Sequence, residues 1–305
     1  MENKFTLVKL EEQASEHIVA PTYSYWKSVA RRFFSSRVAI IMFIISAIIV
    51  LMSVIYPLVV PYSPTFTPHI NNFAMRFIRP NAQYLFGTDN VGNSLFDAIW
   101  AGTQNSLAIA FIATAITTTL GVIVGAFWGF SKKIDKFMLE VYNIAANIPT
   151  TLLVIVLMYI LGRGMWQLIF SLSVTTWLST AYFIRVQVMI IRDREYNLAS
   201  RCLGTPAHRI ITHNILPQLV SVIVTAVARD VPTFISYEVF LGFLGMGLTQ
   251  ADASLGRMIS EYAQYMSNAS YLFWTPVAVS AIISVSLYIV GQTLADASDP
   301  RTHFI

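Results

Sequence analysis

At 305 residues, 55% of them hydrophobic and 12% charged, with a mean hydropathy of +0.60, the chain is too apolar for a soluble domain, in which about a quarter of residues are charged. The net charge of +4 and pI near 9.1 do not argue for nucleic acid, because the excess cations sit in short loops beside apolar runs, where positive-inside topology puts them. A single cysteine, Cys202, excludes an intrachain disulfide framework and any multi-cysteine metal site.

A spanning helix needs about 20 predominantly apolar residues, and six runs meet that need. The N-terminal arm, 1–37, is polar as far as Ala20, then interleaves rings and cations from Tyr23 to Phe34 (YSYWKSVARRFF). That pattern fits an amphipathic helix lying on an anionic leaflet, or a flexible tail whose rings touch the membrane. The first run, 38–60, is uncharged and starts too late for a secretory signal; with no small-x-small site after it, it reads as a retained anchor. Segment 61–106 carries Pro and Asn turn signals (PYSP, RPN, GTDN), which predicts irregular structure with at most one short helix. A second uncharged run, rich in Thr and Gly, covers 107–130. The third, 141–161, holds Pro149 near its middle; the fourth, 165–184, bears Trp166 and Trp177. The fifth, 218–240, is interrupted by Arg229, Asp230, Pro232 and Glu238. The sixth, 271–295, opens with Tyr271, Phe273 and Trp274, as an interfacial belt would. A short tail, 296–305, follows. The predicted fold is an all-α polytopic membrane protein with six transmembrane helices.

Six crossings put both termini on one side. The segments sharing that side (the arm, Ser131 to Lys136, the long loop 185–217 and the tail) hold fifteen Lys and Arg, against four on the other side. That asymmetry predicts cytoplasmic termini and a cytoplasmic long loop in a cell-membrane protein.

The loop reads RVQVMIIRDREYNLASRCLGTPAHRIITHNILP. Good helix formers run from Arg192 to Leu203 and stop at Gly204, a natural C-terminal signal. Thr205 is expected to cap a second helix with Pro206 in its first turn, running through Ile210 and Ile211 toward Pro217. Two short helices joined at a glycine would form a rigid protrusion, with Leu198, Cys202 and Leu203 offering a small apolar surface to a partner.

No HExxH, GxSxG or GxxxxGK[ST] pattern is present, and the five histidines are scattered. The glycines of Leu241 to Leu248 (LGFLGMGL) and Gly162 to Gly164 lie at span ends, where tight turns and close packing need them. Arg229, Asp230 and Glu238 are the notable charges, since an ionisable group inside a membrane costs about 2.5–3.5 kcal/mol on insertion scales. As sequence neighbours, Arg229 and Asp230 are expected to diverge rather than neutralise each other. They mark either a polar pathway or gate, or contacts to a neighbouring helix or partner subunit. With Glu238 they are the candidate path residues.

The loop resembles the cytoplasmic loop of ABC importer permeases, whose signature is Glu-Ala-Ala, three residues, Gly, nine residues, Ile-x-Leu-Pro. Leu198-Ala199-Ser200, Gly204 and Asn214-Ile215-Leu216-Pro217 keep that spacing, with Leu198 in place of the Glu and Asn214 in place of the first Ile. Glu195, one turn earlier, is the expected substitute for the missing carboxylate. Phe86-Gly87-Thr88-Asp89 with Gly92 is similar to the FGTDxxGRD block of oligopeptide and dipeptide permeases, with Asn93-Ser94 in place of Arg-Asp. Glu238 through Leu248 is similar to their EASLSFLGLG, and Ser254-Leu255-Gly256 and the tail from Leu294 to Arg301 also match. The closest resemblance is to the C-type permease subunit of Gram-positive oligopeptide importers.

The resemblance implies a type I ABC importer permease fold with a coupling-helix loop, within a core domain at 107–295. It implies a second, homologous permease, two ABC ATPase subunits that bind ATP and Mg, an extracellular peptide-binding lipoprotein, and no catalysis or cofactor in this chain. Glu195, Leu198, Ala199, Ser200, Gly204 and Pro217 would form the ATPase-coupling surface. Import of dipeptides or nickel complexes by the same mechanism is the alternative cargo. A standalone channel, a membrane enzyme and a docking scaffold are the competing classes.

Overall fold

Serine side chains mark where two of the long helices begin. In the computed structural model, which describes residues 24–298, Ser36 accepts the Ala39 N–H (3.3 Å) and Ser94 the Asp97 N–H (3.4 Å), each satisfying one orphan donor of a first turn. The helices are α1 (Tyr25–Phe33), α2 (Arg37–Val59), α3 (Leu95–Phe130), α4 (Lys132–Ala146), α5 (Thr150–Leu161), α6 (Met165–Arg192), α7 (Glu195–Cys202), α8 (Ala207–Ile210), α9 (Val220–Phe243), α10 (Leu255–Tyr262) and α11 (Ser270–Ser298). The arm at 1–23 and the tail at 299–305, including its Asp-Pro-Arg, lie outside the described residues.

Five helical stretches are long and apolar enough to cross a membrane: α2, α3, α6, the run Ala207–Phe243 and α11. A sixth crossing would come from α4 and α5 together, which meet at 80°. The uninterrupted span expected at 141–161 is therefore a broken one. Its cause is Pro149, which has no N–H and biases Ile148 away from helical geometry; the chain restarts at Thr150 with Pro149 as the flanking residue. The second span also differs. It begins at Leu95, not 107, and its 36 residues reach about 54 Å at 1.5 Å per residue, well beyond the hydrocarbon core.

Glycines set the packing. A Cβ at Gly121, Gly125 or Gly129 of α3 would lie 2.7, 2.4 or 2.6 Å from Thr180 Cγ2, Ala181 O and Arg185 O of α6. The two backbones touch along this seam, as small-residue repeats allow where lipid gives no hydrophobic drive between helices. Similarly, Gly256 of α10 packs on Val239 and the Glu238 carbonyl of α9, and Gly291 of α11 packs on Ala228. One apolar core joins α3, α5, α6, α9, α10 and α11 around Ile99, Ile109, Leu172, Phe234, Leu255 and Leu272; a second surrounds Ile184, Val188, Ile210, Ile211 and Ile215. The outer surface of α2 exposes Ile41, Ile44, Ile48, Leu51 and Ile55, as a lipid-facing helix does.

The segment between α2 and α3 is held by the FGTD block. Thr88 Oγ1 accepts the Ile78 N–H (2.9 Å) and donates to Met75 O (2.7 Å), Asp89 Oδ1 accepts the N–H groups of Val91 and Asn93, and the Tyr271 hydroxyl donates to Thr88 O. Burial raises the Asp89 pKa against those bonds.

Gly125→Ala is expected to destabilise the protein by about 1–3 kcal/mol, the usual range for overpacking, because the obstacle is backbone. Gly162, whose added Cβ would meet nothing within 4 Å, sits at φ +87°, so Gly162→Ala carries backbone strain but no such clash. Thermal unfolding in detergent should show the Gly125 variant melting first.

Candidate functional site

The protrusion begins where α6 ends. The α6 helix runs through Arg192, so the first eight residues of the expected loop are the last two turns of a spanning helix. Arg192 folds back: its Nη1 donates to Gly129 O (2.9 Å), and its Nε and Nη2 grip the two Asp193 oxygens (3.0 and 2.9 Å). The guanidinium lowers the Asp193 pKa, so this clamp stays charged to a lower pH than an unpaired aspartate would. Arg201 lies 4.5 Å from the centre of the Phe130 ring. Further up α6, Arg185 pairs with Asp135 of α4 and stacks over Trp128 and Tyr182, while Tyr142 of α4 stacks on Tyr182 (4.2 Å). The root of the protrusion is thus tied to α3 and α4.

Within it, Asn197 is completely buried. Its Nδ2 donates to Ile191 O (2.9 Å) and its Oδ1 accepts from Asn214 Nδ2 (3.0 Å), which also lies 3.5 Å from Ser200 Oγ. Asn214 stands where the resemblance expects Ile, and it uses its amide to bolt the returning strand of chain to α7. Gly204 ends α7 with φ +78°; the N–H groups of Leu203, Gly204 and Thr205 return to Ala199, Arg201 and Ser200 carbonyls, a left-handed C-terminal cap.

The second helix departs from expectation. Thr205 does not cap it: Pro206 is the flanking residue, without a side-chain bond, and α8 is only four residues long. A π turn, Ile211–Ile215, and a 3-10 turn, Leu216–Leu219, carry it into α9. Pro217, which has no N–H to give, sits in that irregular stretch. Apolar burial holds it: Ile210, Ile211, Ile215 and Leu219 pack on Ile184 and Val188.

Glu195, Leu198, Ala199, Cys202 and Gly204 are exposed together on one short knob, Ser200 half so, and Leu203 at its tip is 86% exposed. An apolar tip on a pinned base is suited to insertion into a partner's groove.

The intramembrane charges divide. Contrary to expectation, Arg229 and Asp230 form an ion pair, Nε to Oδ1 at 3.0 Å. The long arginine reaches back around the helix, drawn by a carboxylate that Thr180 Oγ1 of α6 also meets at 3.3 Å. Asp230 is buried, whereas the Arg229 side chain is 51% exposed and lies over Phe183. Glu238 is apart from them and wholly buried. Its Oε2 accepts from Ser106 Oγ (2.7 Å), which in turn accepts the Leu255 N–H (3.2 Å). It ties α9 to α3 and the start of α10, and has no surface with which to line a path in this conformation.

Sequence reasoning missed two clusters, Asn197–Ser200–Asn214 and Asp135–Arg185. The first was signalled by the Asn at a position where apolar residues were expected; the second had no local signal, since its members are fifty residues apart.

Residues 118–304 match the family model described as binding-protein-dependent transport system inner membrane component, and residues 24–80 match the N-terminal TM domain of oligopeptide transport permease C. The chain is 52% identical to the oligopeptide transport system permease protein AmiD of Streptococcus pneumoniae, over 98% of this chain and 97% of that one. It is 31% identical to the oligopeptide transport system permease protein OppC of Bacillus subtilis, over 94% and 93%. Among solved structures, the inward-facing MetNI methionine ABC transporter superposes with a TM-score of 0.56 at 20% identity, over 67% of this chain and 96% of that one, a likeness of fold.

Asn214→Ala should leave the Asn197 carbonyl oxygen buried without its donor, at about 1–3 kcal/mol. Hydrogen exchange should quicken across α7, with α3 unchanged; equal protection in both variants would show that the amide pair does not hold the knob.

Proposed function

The chain belongs to the family of binding-protein-dependent transport system inner membrane components, and from that premise we propose that it is one of two permease subunits of an ATP-driven oligopeptide importer. The observation that carries this reading is the 52% identity, end to end, with an oligopeptide permease. The chain would span the cell membrane with both termini and the knob in the cytoplasm, the side its cations favour. A second, homologous permease would complete the path, a peptide-binding lipoprotein would deliver cargo from outside, and two ABC ATPases would bind ATP and Mg below. The chain itself would do no chemistry and hold no cofactor.

The knob's geometry supports its role as the lever. Leu198, Ala199, Ser200, Cys202 and Leu203 would enter a groove on an ATPase, with Glu195 at the rim as the one carboxylate in the first turn of α7. Motion of the ATPases would push a unit that cannot flex, because Asn197 and Asn214 lock it and Arg192 and Asp193 tie it to α3. The force would pass through the turns around Pro217 into α9 and along the glycine seam. Arg229 would face the path, held from behind by the buried Asp230; Glu238 would position α9 against α10.

An added Cβ at Gly204 meets nothing within 4 Å, but its φ of +78° strains any L side chain there, so Gly204→Ala, with the same backbone strain and little bulk, is the control for Gly204→Trp. In the assembled transporter, Gly204→Trp is expected to retain ATP hydrolysis while labelled-peptide uptake falls by about tenfold or more, equivalent to roughly 1.4 kcal/mol of lost coupling. Normal uptake by that variant would remove the lever role.

A further inference from the structure

Along α9, Ser221, Thr225, Arg229, Thr233 and Ser236 recur every three or four residues, so they share one face of a helix that crosses the membrane. Arg229, Thr233 and Ser236 are exposed, and Thr225 and Ser221 partly so. The opposite side of the helix is its apolar, buried one, with Val231, Phe234, Ile235 and Leu241 in the core. At the knob end the stripe enters a cleft of about 1210 Å³, bordered on α6 by Phe183 and Gln187, on the turn before α9 by Gln218, and on α9 by Ser221 and Thr225. Phe183 also lies 5.4 Å beneath the Arg229 guanidinium, so the cleft leads up to the charge.

We propose that this stripe is the wall of the translocation path on this subunit, and that it recognises the peptide main chain. The inference rests on the permease reading and deepens it. Lipid is a poor occupant, because a half-exposed guanidinium is costly in hydrocarbon unless it meets protein or water. The stripe's chemistry fits a polyamide. Thr225, Thr233 and Ser236 give their protons to the carbonyls of Ser221, Arg229 and Pro232 (2.8, 2.7 and 3.0 Å), which leaves hydroxyl lone pairs outward to accept peptide N–H groups. Arg229 spends Nε on Asp230, and its Nη atoms are its remaining donors, available to peptide carbonyl or carboxylate oxygens.

The test is cysteine accessibility in the complete transporter, reconstituted with its second permease, ATPases and binding protein. Thr225→Cys, Thr233→Cys and Ser236→Cys are compared with Val285→Cys, on the exposed apolar face of α11. Labelling by a charged methanethiosulfonate is read position by position by mass spectrometry, so native Cys202 need not be removed, and uptake of a labelled hexapeptide is followed in parallel. The stripe cysteines should react at least about tenfold faster than Val285→Cys, since one face is wet and the other lies in lipid, and excess peptide should slow them. Stripe cysteines reacting no faster than Val285→Cys, in variants that still import peptide, would overturn the path assignment and leave the permease reading standing. Reaction that excess peptide leaves unchanged would overturn main-chain recognition. No uptake by the unsubstituted transporter would overturn the permease reading itself, and this inference with it.

Discussion

The contact on which the rest depends is the backbone approach of α3 and α6 at Gly121, Gly125 and Gly129. Gly129 serves twice: its missing side chain lets α6 close to within touching distance at Arg185 O, and its carbonyl receives Arg192 from the end of the same helix. A membrane supplies no hydrophobic force to press two helices together, so surface complementarity and hydrogen bonds must do it. Here both act at one residue, and they fix where α6 stops and where the knob starts.

From that seam the buried charges near α6 and α9 each meet a polar neighbour. Arg185 has Asp135 and two aromatic faces, Arg192 has Asp193 and a carbonyl, Asp230 has Arg229 and Thr180, and Glu238 has Ser106. Arg229 alone among the intramembrane pair stays half uncovered. Because breaking a buried pair leaves a charge without a partner, these contacts tie α6 to α3 and α4, and α9 to α3 and α6, so that a push at Gly204 would be delivered as a shift of whole helices rather than dissipated locally.

Much of this was legible in the residues. Uncharged runs located α2, α3, α6 and α11, and Gly204 marked the end of α7 because only a left-handed cap explains a glycine there. The frequent glycines of 107–130 were visible too, though not which helix they would meet. What failed did so for physical reasons. Pro149 was read as lying within one span, when a missing donor and the restriction on Ile148 break it. Arg229 and Asp230 were judged by Cα direction, which ignores the reach of an arginine. Thr205 lost its cap because Pro206, not Thr205, flanks α8. Glu238 was singled out by the cost of a charge in lipid, but its burial against Ser106 depends on a residue 132 positions away.

The claim underlying all of this is that the knob faces the ATPase side of the membrane. Cys202, exposed on α7, is the chain's only thiol and reports that directly. A membrane-impermeant maleimide should label it in inside-out vesicles stripped of ATPases and leave it untouched in intact cells. Labelling in intact cells would put the knob outside, where no nucleotide-driven subunit could push it.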